Sequence, residues 1–306
     1  MKLRVIRLFD PWRSPLCTCP RKYSLHPYTG CSHFCLYCYA TSYIGRRPSI
    51  PKAKFLESVK GDLEFIEKGA IIEMSSSSDP YPPIEEKLKL TRKTLGMMLT
   101  RDVRVLITTK SHIVTRDLDL LRRIPSAVMI TITTLDDNLA KLIEPEAPPP
   151  SLRLQAVREL SASGIPVGVR VDPIIPGVND DPYHIVKLIE VIKEAGARHI
   201  VTATYKAKWD SLIRLSQAIS EIARKLRELY VHSGVKIHGY MYLAREKREK
   251  LLLPVVKTAL RLGLTVATCR EGLSSQYFQA PSCDGSHLIS CLSTKIINCR
   301  RESFEN

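Results

Sequence analysis

Cys31, Cys35 and Cys38 lie in CSHFCLYCYA with three and then two residues between them, among aromatic side chains. Thiolates are soft ligands that suit zinc, copper(I) or iron–sulfur clusters. Three is an awkward number for the common uses: it is one short of a closed tetrahedral zinc site and odd for disulfides. A structural zinc site calls for a further Cys or His about a dozen or more residues on. After Cys38 there is no cysteine until Cys269. His33 sits inside the triplet, where so short a loop makes ligation by all four groups strained. A zinc site therefore requires Cys17 and Cys19, or the cysteines near the C-terminus, to fold back, and that alternative stays open.

The elements that must position this loop alternate short β-rich runs with amphipathic segments. Expected strands are 23–30, 70–75, 103–109, 127–134, 165–175 and 198–205, with helix-like stretches KFLESVKGDLEFIEKG, EEKLKLTRKTLGMML, IVTRDLDLLRRI, SLRLQAVRELSASG and PYHIVKLIEVIKEAG between them. Runs such as VLITT and VMITI are apolar on both faces, as parallel strands covered on both sides are. Six β-then-α units imply right-handed crossovers and parallel pairing. The expectation is an α/β fold, a partial (β/α)6 TIM-type barrel over 23–206, with function at the C-terminal ends of the strands. The polar clusters fall at those ends. Residues 1–22 form an N-terminal extension. Residues 207–306 form a C-terminal one, with a helix over 208–230, a strand-like GVKIHGYMYL, a helix over 245–262, a strand LTVATC and an irregular cysteine-containing tail.

Cys-x3-Cys-x2-Cys directly after a first strand, with Tyr37 before the last cysteine, resembles the radical S-adenosylmethionine (radical SAM) superfamily. Further segments, among them HPYTG, SSDPYPPIEEKLKLTRKTL, TTKS, TTLDDNLAKLIEPEAPPPSLRLQAV, IPVGVRVDPIIPGVND and CDGSHL, resemble the subgroup that contains spore photoproduct lyase, over roughly residues 22 to 290. The resemblance implies that Cys31, Cys35 and Cys38 hold three irons of a [4Fe–4S] cluster. The fourth iron is then open to the amino and carboxylate groups of SAM, and reduction yields methionine and a 5′-deoxyadenosyl radical. The missing fourth ligand becomes the vacancy the chemistry needs, as at an open catalytic metal site.

The same resemblance places Tyr37 at the adenine of SAM and Asp79 at its amino group. Thr133 is a candidate for the methionine or ribose portion, and Lys110 for a carboxylate or phosphate. Arg153 presents a guanidinium fork that suits a carboxylate bidentately. Each has a plainer alternative: a packed tyrosine, a turn aspartate, a solvated lysine, an exposed arginine at a helix start. Arg170 and Asp172, two apart on one strand, face one side, and in an apolar strand they need each other. Spore photoproduct lyase is understood to quench its substrate radical with a cysteine between the cluster motif and the third strand. Here residues 39–268 contain none, so the lyase reaction does not transfer directly. Tyr81, Tyr240, Tyr242 or a C-terminal cysteine are the candidate donors. Cys17, Cys19, Cys269, Cys283, Cys291 and Cys299 remain for a second iron–sulfur cluster, disulfides or free thiols.

The formal charge is +15, from 46 Lys+Arg against 31 Asp+Glu, which favours a polyanionic partner through counterion release. A DNA-repair-like or RNA-modifying enzyme on a nucleic-acid substrate is the leading expectation, fed by a reductant such as ferredoxin or flavodoxin. Its rivals are a radical enzyme acting on a protein, peptide or small metabolite, and a non-catalytic zinc-stabilised nucleic-acid-binding protein. No stretch reaches the roughly 18 to 20 apolar residues a membrane helix needs, and the first residues lack a signal peptide's apolar core. The expected setting is cytoplasmic with no membrane partner. Four Gln and four Asn hint at a thermophile that avoids labile amides.

Overall fold

The structure, a computed structural model, describes residues 3–9, 14–74 and 77–289; Cys291 and Cys299 lie outside the described residues. A single nine-stranded sheet organises the chain. Its strands are β1 (Ile6–Leu8), β2 (Tyr23–Leu25), β3 (Ala70–Met74), β4 (Val103–Thr109), β5 (Ser126–Thr131), β6 (Val167–Ile174), β7 (His199–Thr204), β8 (Thr265–Thr268) and β9 (Phe278–Gln279). They lie side by side in chain order. Strands β2 to β8 run parallel, and β1 and β9 are antiparallel edges. The result is an open partial barrel. Its six expected strands correspond to β2 to β7, except that the run expected over 23–30 ends at Leu25 and Tyr28–Thr29 pairs separately with Ile50–Pro51. A seventh parallel strand, β8, comes from the segment expected as an extension.

The strands are two-faced, with period 2. Ile72, Val105, Ile107, Val128, Ile130 and Ile200 belong to the large cluster packed with the helices. These helices include α1 (Phe55–Asp62), α2 (Leu90–Met98), α3 (Pro150–Ala162), α4 (Pro182–Glu194) and, past a helix α5 (Trp209–Ala218), α6 (Arg245–Arg261). The alternate residues Ile71, Leu106, Ala127, Met129 and Val201 form the inner layer, closed by Ile289. Residues 282–289 thus cover the hollow of the barrel. Gly285 sits at φ +85, and a Cβ there would lie 2.3 Å from Met129 Sδ, so only glycine lets this segment approach the inner layer. Continuing the same alternation toward the strand ends places Glu73, Thr108, Thr131, Arg170 and Asp172 in the hollow, where they line a cavity.

Helix starts follow sequence chemistry. Asp181 caps α4 by accepting from His184 N at 2.9 Å, with Pro182 in the first turn. Elsewhere the backbone departs from the expected runs. The helix expected over 208–230 breaks at Ile219 (φ −134) into two helices and a final π turn. GVKIHGYMYL is a hairpin, Val235–Ile237 against Tyr240–Tyr242, turned by His238 and Gly239, both at positive φ. Lys89, at φ 53, splits EEKLKLTRKTLGMML in the same way. No described helix is long and apolar enough to cross a membrane.

Two histidines tie pH to stability. His199, fully buried, contacts Thr265 Oγ1 at 2.9 Å and Cys283 O at 3.3 Å, and its ring meets His287 edge-on at 4.6 Å. Burial, then the neighbouring His287, holds it down at about 4; burial, then Lys52, does the same to His26. Both folded values lie below that of an unfolded histidine, about 6.5. The unfolded chain therefore binds more protons between those values, and stability present at neutral pH drains away as pH falls. The expected slope is about 1.4 kcal/mol per pH unit for each histidine. Thermal unfolding across about pH 6.5 to 5 should show it, and His199→Gln should flatten it; an unchanged slope would remove His199 from this role.

Candidate active site

The cysteine loop is held by its backbone, which leaves the sulfurs for other work. Gly30 has φ +78, and a Cβ would stand 2.3 Å from Pro48 O and 2.8 Å from Arg47 O. Glycine alone therefore lets the chain turn beside residues 47–48, where Cys31 N donates to Arg47 O at 3.0 Å. Ser32 and Ser49 each donate a backbone N–H to the other's hydroxyl, at 3.1 and 2.9 Å. Farther along, Leu36 N donates to Ile143 O at 2.9 Å. Arg214, on α5, donates to Leu36 O at 3.2 Å and to Cys38 O at 3.0 Å, and is itself held by Asp210 at 2.9 Å. The Cys31, Cys35 and Cys38 side chains line one cavity of about 230 Å³ at the C-terminal ends of the strands. Burial, then Asp79, pushes the Cys31 thiol up to about 11, and burial pushes Cys35 higher still. Metal charge is what makes thiolates of such groups.

His33 answers the question of a fourth ligand from within the triplet. Its Nε2 lies 3.0 Å from Asp79 Oδ2 and its Nδ1 3.4 Å from Glu146 O, so both ring nitrogens are engaged. Asp79 also accepts from Thr109 Oγ1 at 2.7 Å, Lys110 N at 2.7 Å and Tyr81 N at 2.9 Å. Burial alone would raise this carboxyl, but His33 and these donors outweigh it and hold it at about 2. Asp79 thus joins the cysteine loop to the ends of β3 and β4 while facing the cavity.

Glu144 is the group that sequence reasoning missed. It reads as part of the proline-rich connection EPEAPPPS, yet it is 1% exposed. Tyr37 donates its hydroxyl to Glu144 Oε1, Thr133 Oγ1 donates there at 3.1 Å, and Arg153 Nη1 lies 2.5 Å from Oε2. Burial opposes the charge, but Arg153 and then Lys110 hold the carboxyl below its usual range. The Arg153 fork also serves Pro148 O at 2.6 Å and Thr131 O at 3.2 Å. Of the expected site residues, the cavity wall includes Tyr37, Asp79 and Lys110 with the three cysteines; Thr133 and Arg153 are not on it and meet Glu144 behind it. Lys110 Nζ stands 5.5 Å from the Tyr37 ring centroid.

Elsewhere around the cavity, Arg170 pairs with Asp172 at 2.5 Å and Lys206 with Glu271 at 2.8 Å. Arg270 lies over the rings of Tyr39 and Tyr240, at 5.0 and 5.2 Å. Tyr81, Tyr240 and Tyr242 are not on the cavity wall, whereas Cys269 and Cys283 are.

Residues 25–189, more than half of the chain, match the radical SAM superfamily. An uncharacterised protein of Methanocaldococcus jannaschii is 33% identical over 196 residues, which cover 60% of this chain and 70% of that one. A radical SAM Nalpha-GlyT isomerase of Pseudomonas phage M6 is 25% identical, with 80% of this chain matching 53% of it, about half its length. Spore photoproduct lyase with bound AdoMet and a dinucleoside spore photoproduct superposes with a TM-score of 0.67 at 16% identity, over 88% of this chain and 80% of that one. At that identity the likeness is one of fold.

Proposed function

We propose, for a chain that belongs to the radical SAM superfamily, that Cys31, Cys35 and Cys38 hold a [4Fe–4S] cluster whose open iron takes SAM, and that the radical acts on nucleic acid. The enzyme class and its need for cluster, SAM and a reductant come with the superfamily; the ligands and the substrate are our reading. The observation that carries it is the donor set: three thiols on one cavity wall, with His33 engaged by Asp79 and Glu146. Bound there, the cofactors supply reductive cleavage of the sulfonium to methionine and a 5′-deoxyadenosyl radical.

The chain's own residues hold and shield that chemistry. Lys110 is the cation on the wall for the SAM carboxylate, with Tyr37 beneath it. Asp79 keeps one wall rigid and negative for the amino group. Thr133 and Arg153 act one layer back, by fixing Glu144 and through it Tyr37. The reductant is a one-electron donor of the ferredoxin or flavodoxin kind.

Nucleic acid is favoured by the +15 charge and by the dinucleoside bound to the lyase of like fold. Anaerobic reconstitution followed by dithionite and SAM should yield 5′-deoxyadenosine, faster when DNA or tRNA is added. Retention of one of these in a gel should fade with salt, linearly in log–log form. Failure to retain either at low salt would sink the substrate class and leave a peptide or metabolite as target. A reconstituted brown protein that never cleaves SAM would sink the ligand assignment.

A further inference from the structure

The other described cysteines are not scattered. Cys17 and Cys19 lie in the segment before β2, Cys269 follows β8, and Cys283 lies in the segment that covers the barrel hollow. Cys19 Sγ and Cys283 Sγ are 3.5 Å apart. Cys17 also contacts Cys19, and Cys269 contacts Cys283, so the four thiols form a continuous chain. All four stand on the cavity wall. Their backbones are fixed independently: Cys17 N donates to Ser14 O at 3.0 Å, Cys269 N to Thr202 O at 2.9 Å, and Cys283 O faces His199 Nε2 at 3.3 Å.

We infer that Cys17, Cys19, Cys269 and Cys283 form a second thiolate centre, closed by four protein ligands, that takes a soft metal. This inference does not rest on the reading of Cys31, Cys35 and Cys38. Zinc–sulfur bonds of about 2.3 Å put tetrahedral sulfurs roughly 3.8 Å apart, and the Cys19–Cys283 pair already stands close to that spacing. Among the described residues no three Cys, His, Asp or Glu already close round a single point, neither these four nor Cys31, Cys35 and Cys38, so binding requires the side chains to turn inward. Binding exchanges four S–H protons for four S–metal bonds and releases the protons. A divalent ion on four thiolates leaves a net charge of −2. Lys22 lies beside Cys19, and Arg170 and Arg270 beside Cys269, with Asp284 and Asp172 paired to Lys22 and Arg170 at the same places. The structural need is plain as well. Residues 14–22 and 282–289 contribute little regular structure where they meet, and such crossings are where metals serve as staples.

The test uses the full chain carrying Cys31→Ala, Cys35→Ala and Cys38→Ala, which removes the superfamily's cluster. Zinc sulfate is added to one anaerobic sample, ferrous iron with sulfide to another, and both are washed with chelator. Retention of one zinc per chain supports a single-ion centre, and retention of iron with labile sulfide supports a cluster on the same four ligands. Cys283→Ser on this background should lower retention at least tenfold. If that variant fails to fold, cobalt(II) on the unmutated four decides: sulfur charge-transfer and tetrahedral ligand-field bands are expected. A folded triple variant that keeps neither metal and gives only octahedral cobalt overturns the centre, and so do disulfides among these four under anaerobic purification. SAM cleavage by the wild-type chain is read separately, so either reading can fail alone.

Discussion

Cys35→Ala should lower 5′-deoxyadenosine formation by more than about a thousandfold, equivalent to roughly 4 kcal/mol on the barrier. Cys35 is 7% exposed and sits with Cys31 and Cys38 on the cavity wall. A cluster held at three corners does not keep its open iron when one corner is lost. The loop itself should survive the change, because Gly30, the Ser32–Ser49 pair and Arg214 hold it through backbone atoms. Far-UV circular dichroism should therefore remain native while the product disappears from the chromatogram. Product that persists at wild-type rate would mean that Cys35 is a core thiol and the ligand set lies elsewhere.

The second large effect concerns Arg153. If its fork gripped SAM, Arg153→Met would weaken SAM binding and leave stability alone. The structure gives the opposite expectation. Arg153 is 1% exposed and bonded to Glu144, itself 1% exposed, so its loss strands a buried carboxylate. Breaking one partner of such a pair costs about 3–5 kcal/mol. The expected result is a melting temperature lower by on the order of 10 °C. Adding Glu144→Gln should restore part of that loss, with a coupling of about 1–3 kcal/mol. Thermal unfolding of both single variants and the double variant checks this. An Arg153→Met protein with wild-type melting but impaired SAM binding by calorimetry would restore the direct role.

How far these features were legible depended on sequence distance. Cys31, Cys35 and Cys38 sit in one loop, and their spacing alone poses the ligand question. The parallel strands were legible because VLITT and VMITI are covered on both faces, so propensity and burial agree. Glu144 was not, because a carboxylate among prolines looks like an exposed connection; only the fold brings Tyr37, Thr133 and Arg153 onto it. A usable signal existed in Arg153, since a guanidinium near a helix start followed by buried turns needs a partner. The hairpin at His238 and Gly239 also left a signal, a His-Gly pair between the β-prone runs VKI and YMYL. The meeting of Cys19 with Cys283 left none, because nothing local links positions so far apart.

The clasp over the hollow has a kinetic meaning. Neighbouring strands of this sheet are also neighbours in the chain, so each pairing closes a loop of tens of residues. The buried contacts of Lys22 with Asp284 close one of 262. On chain-entropy grounds that closure costs about 2 kcal/mol more than a strand crossover. The strand pairings can therefore form first, and the clasp, though well buried once in place, is expected to form later than they do. Amide exchange should reveal it as a separate unit, with residues 282–289 exchanging well ahead of β4 and β5.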